Sequence, residues 1–444
     1  MRAILLGLMF LVAHLSAAPV SFKAQIAPIL RAQCQSCHGP ESAKGEYRVD
    51  TYTELMRALE DEPARVLPNQ PDDSLFVELL VTQDAEARMP QKADALPPKQ
   101  VALIRQWIQE GARFDGRDPN ATLAEIIPAR EHAPAPAAYP RALPITALAF
   151  SPDGQTIAAS GLREITLWNA DGKLLRRIPN MAQRTFALAW LPDGQTLLAG
   201  GGIPGELGEV RAFTHSGQLR SVIHQAADVV LDVQLDANAT RLAVADADNA
   251  ITVYRTTDFT RQRRIENHSD WVMAITFSPD SRQVASASRD RTAKIFELKT
   301  GDVLSTYGGH KTPVQGIAFR PDGKAVYTAD RAGELHLWET TPDIDGKRFG
   351  AKKIGAISGL APDQHKLIRS GNSFLTHGSS GRAKLFQAET RASLQTLEHT
   401  AGWLMSAARH PGSSRVATGA HDGTVCIWDA RSGKLLKRFS AVPQ

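Results

Sequence analysis

Cys34-Gln35-Ser36-Cys37-His38 is the stretch of this chain whose residue types and spacing carry chemistry of their own. Two thiols at this spacing sit about one helical turn apart, which lets them reach the two vinyl groups of one porphyrin. The adjacent histidine then reaches the iron from one face, and Cys-x-x-Cys-His is the attachment signature of c-type haem. Three other readings use the same residues. A redox Cys-x-x-Cys favours a βαβ setting, and the flanking sequence shows none. A zinc site needs further ligands nearby, and the next histidine is His132. A plain disulfide gives His38 no purpose. The sixth iron ligand must come from the segment after the motif. Residues 39–114 contain no second histidine, and their methionines are Met56 and Met89. Met56 falls on the apolar face of an expected helix, where core packing explains it. Met89 precedes Pro90 in a loop-like stretch that can be held toward the iron, so it is the preferred ligand. The expected site is therefore Cys34, Cys37, His38 and Met89, with one covalent haem c and with His38 and Met89 as the metal ligands.

The elements that must position this site read as helical. Phe22, Ile26, Ile29 and Leu30 recur at helical spacing after Ser21, a natural N-cap. Tyr52, Leu55, Met56 and Leu59 form a second apolar face. A third helix is expected near Asp72–Asp73, carrying Leu75, Leu79 and Leu80. Pro97-Pro98 opens a fourth, with Val101, Ile104, Trp107 and Ile108 on one side and Gly111 past its end. From Asp115 the chain turns polar and Pro-rich, the pattern of a linker, with one candidate strand at Leu123–Ile127.

Ahead of all this, Met1-Arg2, the apolar run Ile4–Ala13 and the small residues Ser16-Ala17-Ala18 form the three parts of a secretory signal peptide, cleaved after Ala17 or Ala18. The apolar run is shorter than the about 20 residues a bilayer span needs. No transmembrane segment is expected after cleavage, and the localisation is periplasmic or secreted.

Beyond Pro144 the chain repeats. Pro-Asp turns recur at Pro152-Asp153, Pro192-Asp193, Pro279-Asp280, Pro321-Asp322 and Pro362-Asp363. Aromatics close a third strand at Trp168, Phe213, Tyr254, Phe296, Trp338, Phe386 and Trp428, mostly 41 to 45 residues apart. A repeat of about 42 residues with four strands per unit is the signature of a propeller blade, and seven aromatics mean seven blades. Blade 7 contains its own four strands, ending in Leu435-Leu436-Lys437-Arg438-Phe439, so the ring need not borrow one from the linker.

These residues resemble the WD-repeat family. Trp168-Asn169, Trp338-Glu339 and Trp428-Asp429 stand at its Trp-Asp position, and Asn267-His268, Gly309-His310 and Glu398-His399 at its Gly-His position. The resemblance implies a hydrogen-bonded polar tetrad, kept whole only in blade 7 as His399, Thr418, Asp422 and Trp428; blade 4 keeps His268, Ser286 and Asp290 but has Phe296. The N-terminal segment resembles the planctomycete-type cytochrome c domain. The matches are Ile26–Leu30, Cys34–Pro40, Leu67–Leu75, Met89-Pro90, Leu96-Pro97-Pro98 and Trp107–Ala112, with Gln91 where that family has a second proline. This resemblance implies His38 and Met89 as axial ligands. Domains of this type are similarly found fused to WD-repeat propellers in large secreted proteins.

The fold class expected is multidomain: a small all-α c-type cytochrome domain (19–114), a linker (115–142) and an all-β seven-bladed propeller (143–441). Other residues have plainer readings. Cys426 is a buried small hydrophobe, the remaining histidines show no ligand spacing, and Arg261–Arg264 is a solvated face on a turn. With a net charge of +4 and no long charged block, nothing calls for nucleic acid. The functional expectation is one-electron transfer to a redox partner protein, with a protein or ligand docked on a propeller face. Recognition loops are candidates at Gly201–Gly208 and Thr340–Gly350. Two alternatives stand beside it: a haem-dependent oxidoreductase with a second cofactor in the propeller, and a haem-based ligand sensor.

Overall fold

The computed structural model describes residues 18–443, apart from 40–41, 59–63, 92, 140, 142, 343–348, 359, 361, 364–365 and 401. The signal-peptide residues 1–17, Pro40, Leu59, His365 and most of the Thr340–Gly350 connection lie outside the described residues. The chain divides into two compact units, Met1–Pro128 and Ala129–Gln444.

The first unit is helical. Ser21 caps its entry, its hydroxyl accepting from the Ala24 N–H at 3.1 Å. A π-helical turn, Phe22–Ile26, then runs into α1, Ala27–Gln33. Short helices follow: α2 Tyr52–Leu55, α3 Leu75–Val81 and α4 Pro98–Gln109, the last opening on Pro98 at its first turn. Phe22, Leu30, Leu55, Ile104, Trp107 and Ile108 are buried together in one core. In α3 the buried face is Val77 and Leu80, while Leu75 is exposed. The helix therefore lies about one residue round from the face read in the sequence.

The stretch from Asp115 does not behave as a linker throughout. Leu123–Ile126 forms a short helix, α5, closed by a capping box between Thr122 and Glu125, in place of the expected strand. Leu123 is buried in the first unit's core, and its N–H donates to the Asp50 carbonyl at 2.9 Å. The Ser/Thr-x-x-Glu pattern satisfies the first backbone donors of a helix, and a lone five-residue strand is not stable by itself.

The second unit contains seven four-stranded antiparallel sheets among the described residues, each built from strands consecutive in sequence. Every one of the seven repeat aromatics lies on a third strand. The innermost strands are Leu148–Phe150, Arg184–Trp190, Val230–Leu235, Val272–Phe277, Val314–Phe319, Leu367–Ser370 and Leu404–Arg409, numbered here as blades 1 to 7. Among the described residues no strand is exchanged to close the ring. Closure rests on apolar packing, with Ile145, Leu148 and Phe150 of blade 1 against Ala408, Ala417 and Val425 of blade 7. The Ile145 N–H also donates to the Ala420 carbonyl, and the Ser406 hydroxyl to the Ile145 carbonyl.

Two loop expectations change. Gly201–Gly208 is an extension of a hairpin, with Gly202 opposite Gly208 and Ile203 opposite Leu207. A Cβ on Gly202 would fall 1.9 Å from the Leu207 carbonyl oxygen, so only glycine lets the strands meet there. Arg261–Arg264 lies on the outer strand Arg261–Glu266 of blade 3 rather than on a turn, and Arg264 pairs with Glu266 at 2.6 Å.

Candidate functional site

The five-residue motif begins where α1 ends. The Cys34 N–H still donates to the Leu30 carbonyl at 2.9 Å. The chain then folds into one more turn, with Cys37 and His38 N–H groups both donating to the Cys34 carbonyl, at 3.1 and 3.0 Å. Both thiols and the imidazole thus belong to one turn of backbone. A two-residue hairpin, His38–Gly39 with Ser42–Ala43, follows directly. Gly39 is needed there, because a Cβ would sit 2.7 Å from the Gln35 carbonyl oxygen.

His38 is oriented by its Nδ1, which lies 3.1 Å from the Tyr47 carbonyl oxygen. A carbonyl only accepts, so Nδ1 carries the proton and Nε2 keeps its lone pair for a metal. Burial holds the His38 pKa below the ordinary imidazole value, the bonds to the Tyr47 and Lys44 backbone partly opposing it, and this favours the neutral ligand form. Tyr47 is itself fixed, its hydroxyl donating to the Leu55 carbonyl at 2.7 Å, and Arg65 lies 4.7 Å over its ring.

The chemistry of the donor set separates the competing readings. Burial, with Cys37 alongside, pushes the Cys34 thiol up to about 12. A redox-active Cys-x-x-Cys needs the opposite, a stabilised thiolate. Cys34 and Cys37 are not bridged to each other. Among the described residues no three His, Cys, Asp or Glu side chains are grouped to hold a metal between them, as structural zinc requires. The residues present fit a haem held by two thiols and one imidazole.

Met89 and Met56 both pack, half-buried, against the core that also takes in Cys34. Met56 ends α2, its N–H within the helix on the Tyr52 carbonyl at 3.1 Å. Met89 lies beyond α3 in a turn segment, anchored by its N–H to the Leu79 carbonyl at 2.8 Å.

In the propeller, parts of the polar tetrad recur in blades 4, 5 and 7. Blade 4 pairs His268 Nδ1 with Asp290 at 2.7 Å and His268 Nε2 with the Ser286 hydroxyl at 2.7 Å. Burial pushes the Asp290 carboxyl up, but the bonds from His268 and Thr292 outweigh it and hold it well below the usual carboxylate range. Blade 7 bonds Trp428 Nε1 to Thr418 at 2.9 Å. Blade 5 makes the His–Thr–Asp part of such a network with a displaced acid: His310 contacts Thr328 at 2.8 Å and Asp330 at 3.1 Å, while the buried Trp338 Nε1 has no acceptor among the described residues. Asp330 follows Thr328 by two positions rather than four, which hid this set from a spacing rule. His336 stacks on His310 at 4.1 Å, and burial, with His310 beside it, lowers its pKa to about 4. Cys426 is buried, as expected, and its thiol is pushed up to about 11.

A second network was not foreseen. The Pro-rich segment after Ala129 is strapped onto blades 1 and 2. His132 Nε2 lies 2.6 Å from Glu209, which also takes Arg211 Nε at 2.8 Å. Glu209 and Arg211 are both fully buried, and Arg211 donates onward to the Arg130 carbonyl at 2.5 Å. Tyr139 donates to Glu164, and Arg177 binds Glu164, Ala137 O and Pro136 O. The sequence signal was available: Glu209 and Arg211 stand inside a strand whose alternate residues should be apolar.

Comparison with known proteins agrees with these two units. Residues 34–92 match the family described as Planctomycete cytochrome C. Residues 140–169, 259–297, 301–339 and 391–429 match the WD domain, G-beta repeat. Protein tipD of Dictyostelium discoideum is 22% identical over 51% of this chain and 37% of its own length. The guanine nucleotide-binding protein subunit beta of Oryza sativa is 24% identical over 45% of this chain and 55% of its own. A WD repeat-containing protein of Synechocystis is 37% identical over 17% of this chain and 22% of its own. The chain thus spans less than two thirds of the length of each of these relatives. Among the described residues no helix is long and apolar enough to cross a membrane. With its helical core around one Cys-x-x-Cys-His turn and its seven four-stranded blades, the chain joins a planctomycete-type cytochrome c domain to a seven-bladed WD-repeat propeller.

Proposed function

We propose that this protein is an exported monohaem c-type cytochrome that passes single electrons to a partner protein docked on its propeller. The observation that carries the reading is the bond of His38 Nδ1 to the Tyr47 carbonyl, inside one turn with both thiols. Haem, when bound, supplies a one-electron iron couple. Cys34 and Cys37 would fix the porphyrin by thioethers, and their shared turn sets its position relative to His38. Tyr47 holds the imidazole in the tautomer that ligates through Nε2. Met89, anchored to Leu79, would close the sixth position. A neutral thioether favours the reduced state more than a second nitrogen ligand does, which suits an electron carrier. Phe22, Leu30 and Trp107 belong to the apolar core against which Cys34 packs. The name of the Oryza relative, a subunit of a larger protein, supports a propeller that works by holding partners.

The test is an optical and redox titration of the purified protein. The expected result is a single one-electron couple, a low-spin spectrum and no change on adding carbon monoxide. Met89→Ala should keep the haem attached, open the iron to carbon monoxide and lower the potential. Met56→Ala should leave the spectrum unchanged. Carbon monoxide binding by the unaltered protein would favour a ligand sensor, and absorption from a second cofactor would favour an oxidoreductase.

A further inference from the structure

The innermost strands enclose a cavity of about 460 Å³ along the propeller axis. That size suits a small organic ligand. A single side chain reaches across the cavity. Lys366, just before the inner strand of blade 6, places Nζ 2.7 Å from Asp232 Oδ1, 3.2 Å from the Leu231 carbonyl and 3.5 Å from the Phe186 carbonyl. Those partners belong to blades 3 and 2, which face blade 6 across a seven-membered ring. Lys366 and Asp232 therefore span the channel and cancel each other's charge.

Arg409 lines the same cavity and has no such partner. It ends the inner strand of blade 7, paired with Val416 of the next strand. The matching register position holds Phe150, Trp190, Leu235, Phe277 and Phe319 in blades 1 to 5. A guanidinium thus stands where five other blades have a large apolar side chain. Among the described residues no carboxylate lies within ion-pair distance of it. Its Nε is buried with no acceptor, and the contact made by its Nη1 is the Ser373 hydroxyl at 3.3 Å. Burial lowers its pKa. Two residues of the cavity wall also carry a buried polar atom without a partner among the described residues, Trp190 Nε1 and Gln315 Oε1.

A half-buried guanidinium without an acid partner is costly, and its planar fork recovers that cost best from a carboxylate. The walls supplied near Arg409 by Leu188, Ala189, Ile368 and Ala408 accept an apolar body. With Lys366 and Asp232 neutralised, Arg409 leaves one net positive charge for the ligand. We propose that the propeller channel binds a small organic monocarboxylate, with its carboxylate on Arg409 and its apolar part against the neighbouring apolar wall.

The experiment measures binding to the full-length protein by calorimetry and by thermal unfolding. The probes are butyrate and benzoate, with benzamide and inorganic phosphate as controls. The expected result is saturable binding of a carboxylate below about 10 mM and a raised unfolding temperature, with benzamide and phosphate at least about tenfold weaker. Arg409→Gln should abolish the carboxylate effect. Arg409→Phe, which restores the side chain of three other blades, should abolish it too while giving a propeller at least as stable as the original in carboxylate-free buffer. Equal binding of benzamide or phosphate, undiminished binding by Arg409→Gln, or indifference of the original protein to both carboxylates would each overturn the proposal.

Discussion

The two units solve opposite problems. In the first, the chemistry is concentrated in five consecutive residues, and one helix end positions all of them. In the second, seven blades repeat one small packing solution, and the polar networks of blades 4, 5 and 7 differ in detail without changing the fold. A concentrated site fails whole when one residue is lost. A repeated scaffold absorbs local loss except where a buried charge is stranded. The contrast teaches where each unit is vulnerable, and substitutions can be ranked by it.

The largest expected stability effect is in the strap network. Glu209→Ala would leave Arg211, fully buried, facing His132 without an acid. Removing one partner of a buried pair costs about 3–5 kcal/mol. Urea unfolding of the propeller should show that loss, and trypsin should cut faster at Arg130, whose carbonyl Arg211 holds. Unchanged proteolysis would mean that the strap is held by Tyr139 and Arg177 alone.

A slightly smaller effect depends on pH. His336 has its pKa lowered from 6.5 to about 4 by burial beside His310, so the unfolded chain takes up the proton first. Stability is therefore full above about pH 6.5 and falls as pH drops toward 4. The total loss is about 3 kcal/mol for this shift. His336→Gln should flatten that slope, and an identical slope in the variant would locate the titration elsewhere.

In the first unit, Gly39→Ala forces a Cβ to 2.7 Å from the Gln35 carbonyl oxygen. The clash should cost about 1–3 kcal/mol, by analogy with overpacking, and lower the yield of haem-loaded protein. The smallest effect belongs to the propeller surface. Arg289→Ala removes an exposed pair with Asp270 and a stacking contact 4.2 Å over Trp271, and chemical denaturation should register less than about 1 kcal/mol.

Much of this was legible because the signals are local or periodic. The Cys34–His38 spacing, the Ser21 cap and the Pro98 start need only neighbouring residues, and the blade aromatics repeat seven times. What escaped the sequence depends on partners far along the chain. Thr122–Glu125 announced a helix, but only its docking beside Asp50 decides against a strand. The strap's anchors join His132 to Glu209, 77 positions apart, and the Lys366 bridge joins residues 134 apart. Blade 5 escaped because its acid moved two places while its side chain still reached His310. The placement of Met89 and Met56 in one core explains why residue type alone did not separate them.

The central claim is that Cys34 and Cys37 carry a haem. Intact mass and thiol alkylation of the protein, purified from cells that mature c-type cytochromes and fully denatured, test it most directly. The account predicts a chain heavier by one haem that stays haem-stained in a denaturing gel, with Cys426 as the one alkylatable thiol of the three cysteines. A haem-free mass with Cys34 and Cys37 both open to alkylation would contradict it.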